Sequence, residues 1–382
     1  MSIVAAAQAL APTIAARAAD TEAQRRLPAD LARMIAEAGL FRMAVPRGLG
    51  GGEAMPSDIF AALEVLGAAD GATGWCTMIA GTTALVSAWL PAHHAAEVFG
   101  DPLTITGGVF APMGKAVVDG DDYIVSGRWP WGSGSANCDW LLGGALIFED
   151  GALRTLPGGA PEHRMMIMRR REVELIDTWD AMGMRGTGSG DIAAHQVRVP
   201  RGRSVSFIND TPRYDGPLYG FAPFALLALG IAAVASGIAQ GALRDFTALA
   251  AAKKAAGSSR TLAERGTVQE AFARASTALA AARALVQQDI AAAEAQIAAG
   301  TPLDAQQRAQ LRAAATHLVH TAADVTSSCY TLAGGSAVYA SHPLSRRFRD
   351  AHVATQHVMV APPTWELAGR VLLGLPTDIA ML

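Results

Sequence analysis

Between Asp215 and Arg244 the chain carries no charged residue. A run that apolar is either a membrane span, for which about 20 residues suffice, or a helix enclosed by other helices. Pro223, Gly230, Ser236, Gly237, Gln240 and Gly241 interrupt it, and no Lys/Arg cluster precedes it. The reading is therefore a helix buried on all sides of a bundle, with no membrane contact. Alanine-rich stretches at 221–254, 267–299 and 302–332, with a shorter one at 364–373, supply the rest of that bundle. Thr301-Pro302-Leu303-Asp304 is a helix start with a capping hydroxyl and a first-turn proline. Small alanine faces permit close approach, so residues 213–382 are expected to form an antiparallel four-helix bundle.

Residues 1–102 also read as helices and form an N-terminal α-helical domain. The first helix, starting at Met1, is amphipathic and lacks the basic stretch that opens a signal peptide. Pro28 starts a second helix that buries Leu31 and Ile35 and closes at Gly39; Pro56 starts a third. Gly48 to Gly52 has neither GxGxxG nor GxxxxGK[ST] spacing and reads as a plain loop. His93 and His94, after Pro91, read as a solvated loop. From about Thr104 the punctuation changes. Ala116-Val117-Val118, a turn over Asp119 to Asp122, and Tyr123-Ile124-Val125 predict a hairpin. Further short strands are expected at 140–148, 165–169, 173–176 and 192–199. Residues 103–212 are thus expected to be a compact β-barrel or sandwich, giving an α+β chain in the order helices, strands, helices.

Composition narrows function. With 51% hydrophobic and 17% charged residues the chain is not disordered. A net charge of -3 leaves no basic surplus for nucleic acid. Cys76, Cys138 and Cys329 are odd in number and far apart, which excludes a disulfide framework or a CxxC metal site and suits a cytoplasmic protein. No strand–GxGxxG–helix unit is present to hold NAD(P)H.

Several motifs carry more. The run Asp177 to Asp191 (DTWDAMGMRGTGSGD) with Val197-Arg198-Val199-Pro200, and Leu332-Ala333-Gly334-Gly335-Ser336 with Arg349-Asp350-Ala351, resemble signatures of the acyl-CoA dehydrogenase superfamily. That resemblance implies a flavin whose pyrophosphate meets the second of these elements, with each flavin site touching a neighbouring subunit. A dehydrogenase of this family needs a carboxylate base beside the flavin. Its glutamate would fall near Val358, where the sequence reads His357-Val358-Met359-Val360, and the alternative position lies in the charge-free run. Arg349 to His357 and Gly127 to Gly134 (GRWPWGSG) are instead similar to the flavin-dependent monooxygenases of this fold. These include the oxygenase component of 4-hydroxyphenylacetate hydroxylase, the secosteroid phenol hydroxylase and indole oxygenases. Pro130 and Gly132 depart from that pattern, where serines are usual, which leaves Ser133 as the flavin-facing hydroxyl.

The resemblance implies a two-component enzyme. Reduced FAD, with FMN as the alternative, would arrive from a separate NAD(P)H-dependent flavin reductase and react with O2 to a C4a-hydroperoxide that hydroxylates a small phenol- or indole-type aromatic. A desaturase of the dehydrogenase type, or an N- or S-oxygenase on the same scaffold, is the alternative. It implies His357 as base and hydroperoxide partner and Ser133 as the hydroxyl beside N5. Flavin contacts are expected from Phe110, Ala111, Pro112 and Met113 in a covering loop, from Trp131 and Gly132, and from Ala333, Gly334 and Gly335 at the pyrophosphate. Trp75, Met78 and His352 are candidate substrate-pocket residues, and Arg185 an intra-barrel anchor. A homotetramer is implied. The sequence does not name the substrate.

Overall fold

The computed structural model describes residues 2–254 and 257–382. Ser2 caps α1 (Ile3–Gln24), its hydroxyl accepting from the Ala5 amide at 3.2 Å, and the helix buries Ala6, Ala7, Ile14 and Ala18; Met1, where that expected helix began, lies outside the described residues. α2 (Ala29–Glu37) ends before Gly39, whose φ of 74° only glycine adopts without cost. α3 (Pro56–Ala69) and α4 (Gly71–Thr83) follow, and Asp70 caps α4 by accepting from the Thr73 amide at 2.9 Å. His93 and His94 are not in a loop. They stand in the first turn of α5 (Ala92–Phe99), because Pro91 opens a helix there, and His94 Nδ1 lies 3.0 Å from Glu97 one turn on.

The strands are β1 (Thr106–Asp119), β2 (Asp122–Trp129), β3 (Trp140–Glu149), β4 (Ala152–Leu153), β5 (His163–Arg169), β6 (Glu174–Ile176), β7 (Asp191–Pro200) and β8 (Ser204–Val205). They form one sheet in the order β6-β7-β2-β1-β3-β5-β8, with β4 paired to β3; β1 and β3 are parallel and the other pairs antiparallel. The predicted hairpin is present, with Asp119 opposite Asp122 and Gly120 at φ 59°. The sheet is neither a sandwich nor a closed barrel, since β6 and β8 end its ladder unpaired to each other. It curls around Trp129, which is fully buried and donates from Nε1 to the Gly144 carbonyl at 2.7 Å. A Cβ on Gly114, Gly127 or Gly143 would come within 2.4–2.8 Å of that indole. The strands bend inward there because those positions have no side chain. Phe110 to Met113 is not a covering loop: it lies inside β1, where the ladder to β3 slips between Val109 and Gly114.

The chain then runs through α6 (Pro223–Ala252), α7 (Gly266–Ala298), α8 (Ala305–Ala333), α9 (Pro343–Ala354) and α10 (Pro363–Leu372). The charge-free run forms the first two thirds of α6. That helix is long and apolar enough to cross a membrane, but 83% of its most apolar window is buried inside the protein. Its neighbours include α3: a Cβ on Gly237 would lie 2.2 Å from the Glu64 carbonyl, so the two backbones touch. The N-terminal helices and the bundle therefore share one core. The expected four-helix bundle is three long helices with two short ones. α9 escaped the alanine pattern because its sequence, PLSRRFRDAHVA, is amphipathic, with charged residues crowded into its middle. The cap of α8 is Asp304 rather than Thr301, in a reciprocal box with Gln307 at 2.8 and 3.0 Å.

Candidate active site

The connection from β2 to β3 carries Trp131 and Ser133. Trp131 holds a left-handed φ of 65° and leaves its indole 65% exposed. Left-handed backbone costs a non-glycine residue of order 1–2 kcal/mol and is kept where the fold over-determines it. Two ladder-like bonds do so: Gly132 N–H donates to the Gly190 carbonyl and Gly134 N–H to the Thr187 carbonyl, both at 2.8 Å. Beyond that strained residue Ser133 turns inward and is buried.

A line of hydroxyls runs through Ser133. Trp75 Nε1, from α4, donates to Ser133 Oγ at 3.1 Å. Ser133 Oγ lies 2.7 Å from Ser189 Oγ, which lies 2.5 Å from Thr187 Oγ1, and Thr187 Oγ1 donates to the Met184 carbonyl at 2.8 Å. The alternation Gly186-Thr187-Gly188-Ser189-Gly190 had marked this stretch as a motif, yet nothing in the sequence showed that its hydroxyls reach Ser133.

His357 comes from the opposite side. It sits in the bend that follows α9, with its ring 5.7 Å from that of Trp75 in an edge-to-face arrangement. The Met359 amide donates to His357 Nδ1 at 3.2 Å, so the hydrogen of the neutral ring is on Nε2. Burial and then the positive charge of Arg312 push its pKa down to about 4. No carboxylate contributes to that shift. Val358 is exposed, Glu366 stands exposed on α10, and α6 holds no acid before Arg244. At neutral pH the imidazole is thus an uncharged hydrogen-bond donor. The expected role of base needs a free ring lone pair, and here Met359 occupies the only one.

Arg312 was missed by sequence reasoning. It is buried on α8, donates to the Met359 carbonyl at 3.0 Å and the Met381 carbonyl at 2.6 Å, and leaves Nε without a partner. Desolvation lowers its pKa to about 10, so the guanidinium remains charged. One arginine in an alanine-rich helix gives no sequence signal of such a position.

The remaining candidates divide. Trp75 joins Ser133 to His357. Met78 does not line an open pocket, because it is 1% exposed and packs on α6, where a Cβ on Gly230 would lie 2.9 Å from its Cγ. His352 also turns away: its Nε2 lies 2.9 Å from Ser327 Oγ and its ring packs on Phe348. Arg185 anchors its own loop, through the Ala181 carbonyl and Asp180, rather than the barrel. Phe110 packs against His163, Phe207 and Phe224, Ala111 is half-buried, and Pro112 and Met113 are exposed. Ala333, Gly334 and Gly335 close α8, where Lys253 Nζ donates to the Ala333 carbonyl at 2.6 Å. That is about 30 Å along the helix from Arg312, at 1.5 Å per residue.

The walls are tied together at Asp350. It is buried on α9, accepts from the Met184 amide at 2.6 Å, and lies against α4, where a Cβ on Gly71 would be 3.1 Å from its Oδ2. Burial, and then the nearby Asp70 carboxylate, raise its pKa to about 7.

Two family models match the chain: the N-terminal domain of acyl-CoA dehydrogenases over residues 3–97 and the C-terminal domain over 229–362. The chain is 30% identical to an indole-3-acetate monooxygenase of Pseudomonas putida, over 94% of this chain and 90% of that protein. It is 28% identical to the HsaA oxygenase subunit of a flavin-dependent monooxygenase from Mycobacterium tuberculosis, over 100% of this chain and 98% of that one. The crystal structure of the M. tuberculosis HsaA monooxygenase superposes with a TM-score of 0.92 over 100% of this chain and 99% of that one, at 28% identity. XiaF from Streptomyces sp., solved with FADH2 and glycerol, superposes at 0.89 over 98% and 96% with 26% identity. Motifs, fold and relatives converge: the chain belongs to the acyl-CoA dehydrogenase family, in its flavin-dependent monooxygenase branch.

Proposed function

We propose that this chain is the oxygenase component of a two-component system. It takes reduced flavin from a separate NAD(P)H-dependent reductase and places one atom of O2 on a phenol- or indole-type ring, the other atom leaving as water. The observation that carries the reading is His357: a neutral imidazole stands where desaturation needs a carboxylate, and no acid reaches it. The relatives' names support it, among them an FADH2-dependent resorcinol hydroxylase oxygenase component from Rhizobium sp..

The residues present suit a flavin ring. A tricyclic ligand needs apolar surface with few polar contacts, and the exposed Trp131 indole, 65% accessible, lies two residues from the buried hydroxyl of Ser133. When bound, reduced flavin supplies the two electrons that activate O2. Ser133, held by Trp75 and Ser189, would be the hydroxyl beside N5. His357 offers its Nε2 hydrogen to oxygen on the substrate side, with the Trp75 ring separating the two groups. The charge-free stretch of α6 leaves no group to remove a substrate proton as a dehydrogenase would and keeps the surroundings apolar, which excludes water. Gly334 and Gly335 lie too far along α8 to share a ring with Ser133 and His357, so their backbone would hold the flavin of a neighbouring copy, in keeping with a homotetramer and with FAD over FMN. Replacing His357 by alanine should cut hydroxylated product per flavin oxidised on the order of 100-fold, the scale of losing one aimed donor, while reduced-flavin affinity stays near that of the parent. Equal loss of both would make His357 a scaffold residue.

A further inference from the structure

The hydroxyl line through Ser133 has a direction. Each of Ser133, Ser189 and Thr187 owns a single O–H hydrogen. A carbonyl can only accept, so the 2.8 Å contact to Met184 uses the hydrogen of Thr187. Thr187 must then accept from Ser189 across their 2.5 Å contact, and Ser189 must accept from Ser133 at 2.7 Å. The indole N–H of Trp75 can only donate, so the 3.1 Å contact makes Ser133 an acceptor there as well. Any other assignment leaves at least one buried pair of oxygens in contact with no hydrogen between them, which is costly where water cannot relieve it. Ser133, Ser189 and Thr187 are all buried, at 6%, 4% and 1% exposure.

Ser133 therefore has no hydrogen to give. What it presents to a further ligand is its remaining lone pair. The sequence reading had treated it simply as a hydroxyl beside flavin N5. In reduced flavin N5 carries a hydrogen and donates; in oxidised flavin N5 has only a lone pair. We infer that Ser189 and Thr187 are positioning residues that fix the direction of the Ser133 hydroxyl, so that the site selects reduced over oxidised flavin. This rests on the reading that Ser133 faces N5. The selection lies in hydrogen supply rather than in shape: the same serine, with its hydrogen free, would favour the oxidised form. It also separates Ser133 from His357, which is the hydrogen donor of the pair.

The test is anaerobic titration of the full-length protein with dithionite-reduced FAD and, separately, with oxidised FAD, taking the ratio of the two dissociation constants. Ser189→Ala frees the Ser133 hydrogen, and the preference for reduced FAD should fall on the order of ten-fold, the scale of one hydrogen bond exchanged for a repulsion. Thr187→Val should lower it in the same direction and Thr187→Ser should leave it unchanged, so the effect follows the hydroxyl and a poorly folding Ser189 variant does not end the test. Ser133→Ala is the control for the underlying reading. If it lowers the preference while Ser189→Ala and Thr187→Val do not, the inference is overturned and Ser133 keeps its place at N5. If Ser133→Ala leaves both affinities unchanged, the placement of Ser133 itself is wrong and the inference falls with it.

Discussion

A buried arginine with no carboxylate partner is expensive unless its charge is put to use. Arg312 holds the Met359 carbonyl, and the amide of the same residue holds His357 Nδ1, so one side chain supports the ring's tautomer and adds to burial in keeping it uncharged. Replacing Arg312 by methionine should raise the His357 pKa from about 4 toward the ordinary imidazole value of 6.5 and loosen the Nε2–H tautomer, both read by nitrogen-15 NMR of the imidazole. An unmoved pKa would show that burial alone keeps the ring neutral. The sign of the stability effect follows. His357 titrates lower folded than unfolded, so its contribution is present above pH 6.5 and is lost as pH falls through about 4. His357→Gln should flatten that acid limb in urea titrations between those limits. His357 and Ser133 were legible in the sequence because each stands in a short motif. Arg312, Ser189 and Thr187 act through bonds between distant segments, and a linear pattern carries no trace of those.

At the scale of elements, α4, α9 and the stretch before β7 meet at Asp350. Its folded pKa of about 7 lies above the ordinary aspartate value of 3.8. The native state therefore keeps a proton that the unfolded chain releases, and the stability linked to it is full below about pH 4 and lost as pH rises through 7. Asp350→Asn can still accept from the Met184 amide, and should flatten the decline in melting temperature between pH 5 and pH 8; an unchanged slope would place the titrating group elsewhere. Gly183 lets that stretch lie on α9: a Cβ there would sit 2.3 Å from the Arg349 carbonyl. Gly183→Ala should destabilise by ~1–3 kcal/mol, the usual cost of overpacking, in urea titrations. The long alanine-rich helices and the Asp119 to Asp122 hairpin could be read from periodicity and turn residues. α9 could not, because charged residues hide its apolar stripe. The strand character of Phe110 to Met113 could not either, because Pro112 reads as a loop until the bulge beside β3 is seen.

For the whole molecule, the order of helices, sheet and helices followed from where charge, glycine and alanine fall along the chain. The shared core did not, since the contact of α3 with α6 depends on Gly67 and Gly237 meeting across long sequence separation. Arg312, beside His357, lies near the start of α8 and Gly334 just past its end, so the two regions would serve two different flavins. His357→Ala and Gly335→Trp proteins should each lose most product formation, and the latter should fold because, among the described residues, no atom lies within 4 Å of a Cβ at Gly335. Co-expressed, they should regain activity in mixed oligomers; no recovery would argue that each copy works alone. The central claim is that oxygen is transferred to the substrate and no acyl chain is desaturated. It is tested most directly by supplying reduced FAD, a phenol or indole, and oxygen-18 gas, and weighing the product. One labelled atom in the product, with no bleaching of oxidised FAD by an acyl-CoA, is the predicted result; an unlabelled product together with such bleaching would contradict it.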